Sequence, residues 1–144
     1  LMDTPIFVAV IAALASIVVA ALTFLFAKSK EREAEWRKEK LAYYKAFVES
    51  LNGIIEGDAT PDGHRMYART TNNLLLFAPQ PVISALNAYR SNNSLSSQRL
   101  SQDEHDKLLA ALLLEIRKDI GILPKDDAAT FKPTLWASGA VKMR

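Results

Sequence analysis

The sequence predicts an all-α protein, with one N-terminal transmembrane helix continuing into a small cytoplasmic helical bundle of about four helices. Three observations predict it. Ile6 to Phe26 is a run of 21 uncharged, mostly apolar residues, and no Asp, Glu, Lys or Arg lies between Asp3 and Lys28. Beyond it, apolar residues recur at spacings of 3 and 4, the period of a helix face. Gly and Pro cluster between those stretches rather than inside them, and no alternating apolar–polar segment competes as a strand.

At a rise of about 1.5 Å per residue, the apolar run covers roughly 30 Å, the thickness of a bilayer's hydrocarbon core. Thr4 and Pro5 read as its start, Thr as a cap and Pro at the first helical position. A secretory signal would carry a basic leading segment, a shorter apolar core and a small-residue cleavage site. Here no Lys or Arg precedes the run, which ends in Phe24-Leu25-Phe26-Ala27 and then charge. Residues 1–27 are therefore expected to be a retained anchor.

Residues 28–40 form a charged juxtamembrane helix with six basic and four acidic side chains. The rule that Lys and Arg near a span mark its cytoplasmic side places the C-terminal domain in the cytoplasm and the N-terminus outside. Lys28, Lys30, Arg32, Arg37 and Lys38 would meet anionic lipid headgroups, each contributing about 1 kcal/mol. A simpler reading makes them a topology signal on a solvated helix.

Residues 41–144 carry twelve basic and eleven acidic side chains, so the pI of about 8.9 owes much to the juxtamembrane stretch. That balance argues against a nucleic-acid surface, which would concentrate basic residues on one face. Cysteine is absent, in keeping with a cytoplasmic domain that needs no disulfides.

The bundle is expected over residues 41–121. The first helix continues past the membrane to about Glu56, with Leu41, Tyr44, Val48, Leu51 and Ile55 as its apolar stripe, widened by Phe47 and Ile54. Gly57 to Gly63 reads as a turn. A second helix follows over about His64–Phe77, burying Tyr67, Leu74 and Phe77. Pro79-Gln80-Pro81 breaks it, and Pro81 opens a third to about Arg90 with Val82, Ile83, Leu86 and Tyr89 inward. A polar loop over 91–99 leads to Ser101-Gln-Asp-Glu104, a capping box. The fourth helix carries Leu108, Leu109, Leu112, Leu113, Ile116 and Ile120 and closes at Gly121. Residues 122–144 form an irregular tail, whose large apolar anchors are Phe131 and Trp136.

Carried backward in steps of 3 and 4, the Leu41 register passes through Ala34, Ala27 and Thr23 to Ala20, Ser16, Ala13 and Ala9. Membrane helices associate through close backbone approach, so a face of small residues marks a packing surface. A heptad kept across membrane and cytoplasm would suit a coiled-coil pair or bundle. Lys30 and Arg37 on the same seam oppose a tight cytoplasmic coiled coil. Ala9, Ala13, Ser16 and Ala20 are the candidate membrane packing face.

Catalytic signatures are missing. There is no Gly-rich phosphate loop and no Cys, and His64 and His105 stand apart as solvated side chains. Asp103, Glu104 and Asp106 suit a helix N-terminus. No metal, cofactor, small-molecule substrate or enzymatic activity is expected. Arg117 and Lys118, with Asp119, end an apolar helix where basic residues complement the helix dipole; with Trp136, they are also candidate contacts for a partner protein.

Tyr43-Tyr44-Lys-Ala-Phe47, Asn73-Leu-Leu-Leu-Phe-Ala78 and Leu114-Glu-Ile-Arg-Lys-Asp-Ile-Gly121 resemble segments of a loose group of short, uncharacterised bacterial and phage membrane proteins. The resemblance covers residues 30 to about 121 and implies one N-terminal span in the bacterial inner membrane with a cytoplasmic helical domain. It implies no activity. The expectation is a non-enzymatic single-pass protein that works by assembling in the lipid bilayer, as a homo-oligomer or as an accessory or scaffold subunit of a larger membrane complex. The alternative expectation is a membrane-anchored effector or sensor in phage–host conflict.

Overall fold

The computed structural model describes residues 3–92 and 101–138. Helix α1 (Thr4–Leu51) runs into a single 3₁₀ turn (Asn52–Ile54), followed by α2 (Pro61–Leu74), α3 (Gln80–Asn92) and α4 (Gln102–Asp119). The fold is all-α, and no strand occurs among the described residues. The chain divides into two compact units between Lys38 and Glu39. Most of the expected polar loop, residues 93–99, lies outside the described residues.

The first unit is the N-terminal part of α1, and every residue from Thr4 to Lys38 is exposed. Its start differs from the expectation by one residue. The Asp3 carbonyl accepts from the N–H groups of Ile6 and Phe7 at 2.9 and 3.3 Å, so Asp3 takes the cap position and Thr4 lies in the helix. The hydroxyls of Ser16 and Thr23 donate to the carbonyls of Ala12 and Val19, each at 2.8 Å. Both hydroxyls are thus satisfied within the helix, as an apolar surrounding demands. This helix is long and apolar enough to cross a membrane.

The second unit is a small helical bundle. Its core joins Tyr44, Phe47 and Leu51 of α1, Leu74 of α2, Val82, Leu86 and Tyr89 of α3, and Leu109, Leu112 and Ile116 of α4, with Ala78 between helices. Burying a side chain of this size contributes about 1.5–3 kcal/mol, so these residues supply most of the drive to fold. The stripe on α1 is narrower than expected. Tyr44, Phe47 and Leu51 are buried, but Leu41 and Val48 stay 42% and 36% exposed. The core face is centred on the 40-44-47-51 column, and Ser50 rather than Val48 borders it. Ser50 donates to the Phe47 carbonyl at 2.6 Å and shares a 2.8 Å hydrogen bond with Thr70 of α2, so a polar pair joins the two helices inside the core.

Helix α1 ends five residues before Glu56, because its backbone there packs on α2. A Cβ added at Gly53 would lie 2.5 Å from Gly63 Cα, and one added at Gly63 would overlap the Gly53 carbonyl. Only a glycine pair permits this approach. The Thr60 N–H donates to the Gly53 carbonyl at 3.2 Å. Helix α2 also starts three residues earlier than expected. Thr60 Oγ1 accepts from the Gly63 N–H at 3.0 Å and Pro61 takes the first helical position, a start signal inside what reads as a turn.

Helix α2 ends at Leu74, three residues before the expected Phe77, whereas the ends of α4 follow the sequence closely. Ser101 and Glu104 form the capping box at the start of α4. At its end, Gly121 adopts φ +73°. The Ile122 N–H reaches the Arg117 carbonyl and the Gly121 N–H that of Lys118, both at 3.1 Å. These paired bonds form a Schellman stop, which needs the left-handed conformation that glycine adopts without strain.

Candidate functional site

The candidate residues fall in three places. Ala9, Ala13, Ser16 and Ala20 lie at spacings of 4, 3 and 4 on the apolar part of α1, hence on one helix face, and all four are exposed. Ser16 contributes a small side chain rather than a free donor, since its hydrogen is committed to Ala12. In the register that this face extends into, Tyr44 and Leu51 are buried in the bundle while Leu41 and Val48 stay exposed.

Among the basic residues after the apolar run, Lys28, Lys30, Arg32, Arg37 and Lys38 are exposed, with Arg37 pairing to Glu33 at 3.5 Å. Lys40 behaves differently. Its Nζ donates to Asp119 Oδ1 at 3.0 Å, and the two side chains are only 15% and 14% exposed. The Tyr44 hydroxyl donates to the other oxygen, Asp119 Oδ2, at 2.6 Å. Burial first, then the hydrogen bond to Asp119 and its charge, hold the Tyr44 phenol well above the ordinary tyrosine range.

The cluster at the end of α4 is spent within the chain. Arg117 makes a two-pronged pair with Asp126, at 2.7 and 3.0 Å, and lies 5.4 Å from the Phe131 ring centroid. The hydrogen bonds and then the charge of Arg117 lower the Asp126 pKa against its partial desolvation. Arg117 moves up for the matching reason, its hydrogen bonds to Asp126. Lys118 pairs with Glu115 at 2.7 Å. Arg117 is therefore the tail's attachment point, while Lys118 remains exposed.

The tail returns along the bundle. Phe131 is half-buried and Leu135 packs against the core, whereas Trp136 is 87% exposed. Of the two expected tail anchors, Phe131 therefore holds to the bundle, joined by Leu135, which was passed over in the sequence, and Trp136 faces solvent. Two residues past Trp136, the Ser138 N–H and hydroxyl both donate to the Asp58 carboxylate. That pairing spans 80 residues of sequence and has no local signature.

One polar site lies inside the core. The Tyr67 hydroxyl and Thr71 Oγ1 are shut off from solvent, and neither has a hydrogen-bond partner of good geometry. Burial, then the neighbouring Tyr89 phenol, push the Tyr67 phenol up to about 12, against smaller opposing effects of Thr71 and Arg90. His64 is exposed, and His105 leans on the Tyr89 ring with centroids 5.3 Å apart. Among the described residues, no group of three or more His, Cys, Asp or Glu converges as a metal site.

Fold and geometry together define an all-α protein with one helix long and apolar enough to cross a membrane and a helical bundle following it. No family model, curated protein or solved structure matches the chain.

Proposed function

We propose that this is a non-enzymatic, single-pass protein of the bacterial inner membrane that works by assembly, as a homo-oligomer or an accessory subunit of a larger membrane complex. One observation carries the reading: Ala9, Ala13, Ser16 and Ala20 share a face of the apolar helix, and all four are exposed among the described residues. Small side chains allow a second helix to approach closely, and in lipid such packing takes the place of the hydrophobic drive. The excess of Lys and Arg after the span supports an inward-facing C-terminal bundle, with Lys28, Lys30, Arg32, Arg37 and Lys38 at the headgroups. Trp136, 87% exposed, and Lys118, exposed but paired with Glu115, are the partner-facing candidates.

Ala13→Leu and Ser16→Leu test the reading in the full chain. Each places a bulky group on the face without disturbing the bundle, and is expected to weaken association by about 1–2 kcal/mol. Complex size unchanged in both variants would overturn the assignment of this face.

A further inference from the structure

We propose that residues 122–138 are a releasable strap, hinged at Arg117 and latched by Asp58 on Ser138, that lifts from the helical bundle without unfolding it. The strap leaves α4 at Gly121 and, at Ser138, reaches the connection between α1 and α2. Among its attachments to the bundle are Arg117 with Asp126 and Phe131, Leu135 on the core, and Asp58 with Ser138. No residue in it is buried; Asp126, Phe131, Pro133 and Leu135 are half-buried and the rest exposed.

At the hinge its Ile122 N–H donates to the Arg117 carbonyl and at the latch its Ser138 N–H donates to Asp58; the Asp126 and Ser138 side chains make the other hydrogen bonds named above. The backbone–backbone bonds within it close only a local turn, from Thr130 and Phe131 to Asp127. A segment tied down this way opens at a fraction of the cost of a helix held by a core. The latch itself is exposed, so water competes for both of its hydrogen bonds. Lifting it withdraws Leu135 from its apolar seat, giving the bundle a closed and an open state. The occupant of that seat is this chain's own strap.

The chain has no cysteine, so Leu135→Cys gives one thiol whose labelling reports opening in the full chain in detergent micelles. Labelling is expected to be nearly independent of urea at low concentration, the mark of local opening that exposes little surface. Adding Asp58→Asn should speed it about tenfold, while the urea midpoint of the bundle's helical signal stays unchanged. Asp62→Asn, which removes an exposed acid paired with Arg65, should leave labelling as it was. Chymotryptic cleavage after Phe131 in the chain with Leu135 intact should rise likewise with Asp58→Asn. Labelling that follows global unfolding across urea would overturn the proposal. So would acceleration by Asp58→Asn only in proportion to lost global stability, or equal acceleration by Asp62→Asn.

Discussion

The Tyr44 hydroxyl donates a 2.6 Å hydrogen bond to Asp119, joining α1 to the last turn of α4 across 75 residues of sequence. Lys40 reaches the second oxygen of the same carboxylate, so one acid on α4 holds two donors on α1. All three side chains are largely withdrawn from water, where a charge needs its partners. Removing Asp119 leaves Lys40 with no opposing charge, and Asp119→Ala is expected to destabilise the bundle by about 3 kcal/mol. Tyr44→Phe removes one hydrogen bond to a charged group and is expected to cost about 2 kcal/mol. Urea unfolding of both variants checks this ordering; equal and negligible losses would show that the cluster adds nothing.

The Gly53–Gly63 approach predicts intolerance to the smallest side chain. Gly53→Ala and Gly63→Ala each force two backbones apart, with an expected loss on the order of 3 kcal/mol. At Gly121 the space is open and only the positive φ constrains the residue. Gly121→Ala should therefore cost less, about 1 kcal/mol. Thermal unfolding ranks the three.

Thr71 offers the opposite case. Its Oγ1 is buried without a well-formed hydrogen bond, so exchanging the hydroxyl for a methyl removes a desolvated polar group at almost constant shape. Thr71→Val is expected to stabilise the bundle by about 1 kcal/mol. A loss of that size in urea unfolding would mean that the hydroxyl is satisfied in solution.

The tyrosines set the alkaline limit. In the unfolded chain they ionise near about 10; in the fold, burial holds Tyr67 at about 12 and Tyr44 higher still. The folded state keeps these protons where the unfolded state sheds them. Their contribution is thus fully present below about pH 10 and is lost as pH rises beyond it. Stability measured against pH should fall above about 10, and Tyr67→Phe should flatten part of that fall.

Helix identities and most of the core were legible in the sequence, because Leu74, Val82, Leu86, Leu109, Leu112 and Ile116 repeat at helical spacing and Ser101, Glu104 and Gly121 mark ends by local chemistry. The α1 stripe, which held Tyr44, Phe47 and Leu51, was read too wide because Leu41 and Val48 have the right character yet stay exposed, while Ser50 and the paired Lys40 are withdrawn from solvent. Those polar residues are inside only because Thr70 and Asp119 wait on other helices. Asp58–Ser138 and Lys40–Asp119 are likewise long-range pairings, which no periodicity encodes. The small face of α1 was visible as composition and spacing.

Native mass spectrometry of the complex released gently from membranes would show whether the proposed assembly through the apolar part of α1 occurs. The expected result is a multiple of the chain's 15.9 kDa, or this chain in fixed stoichiometry with other membrane proteins, and in either case dissociation by Ala13→Leu. A bare monomer would contradict it.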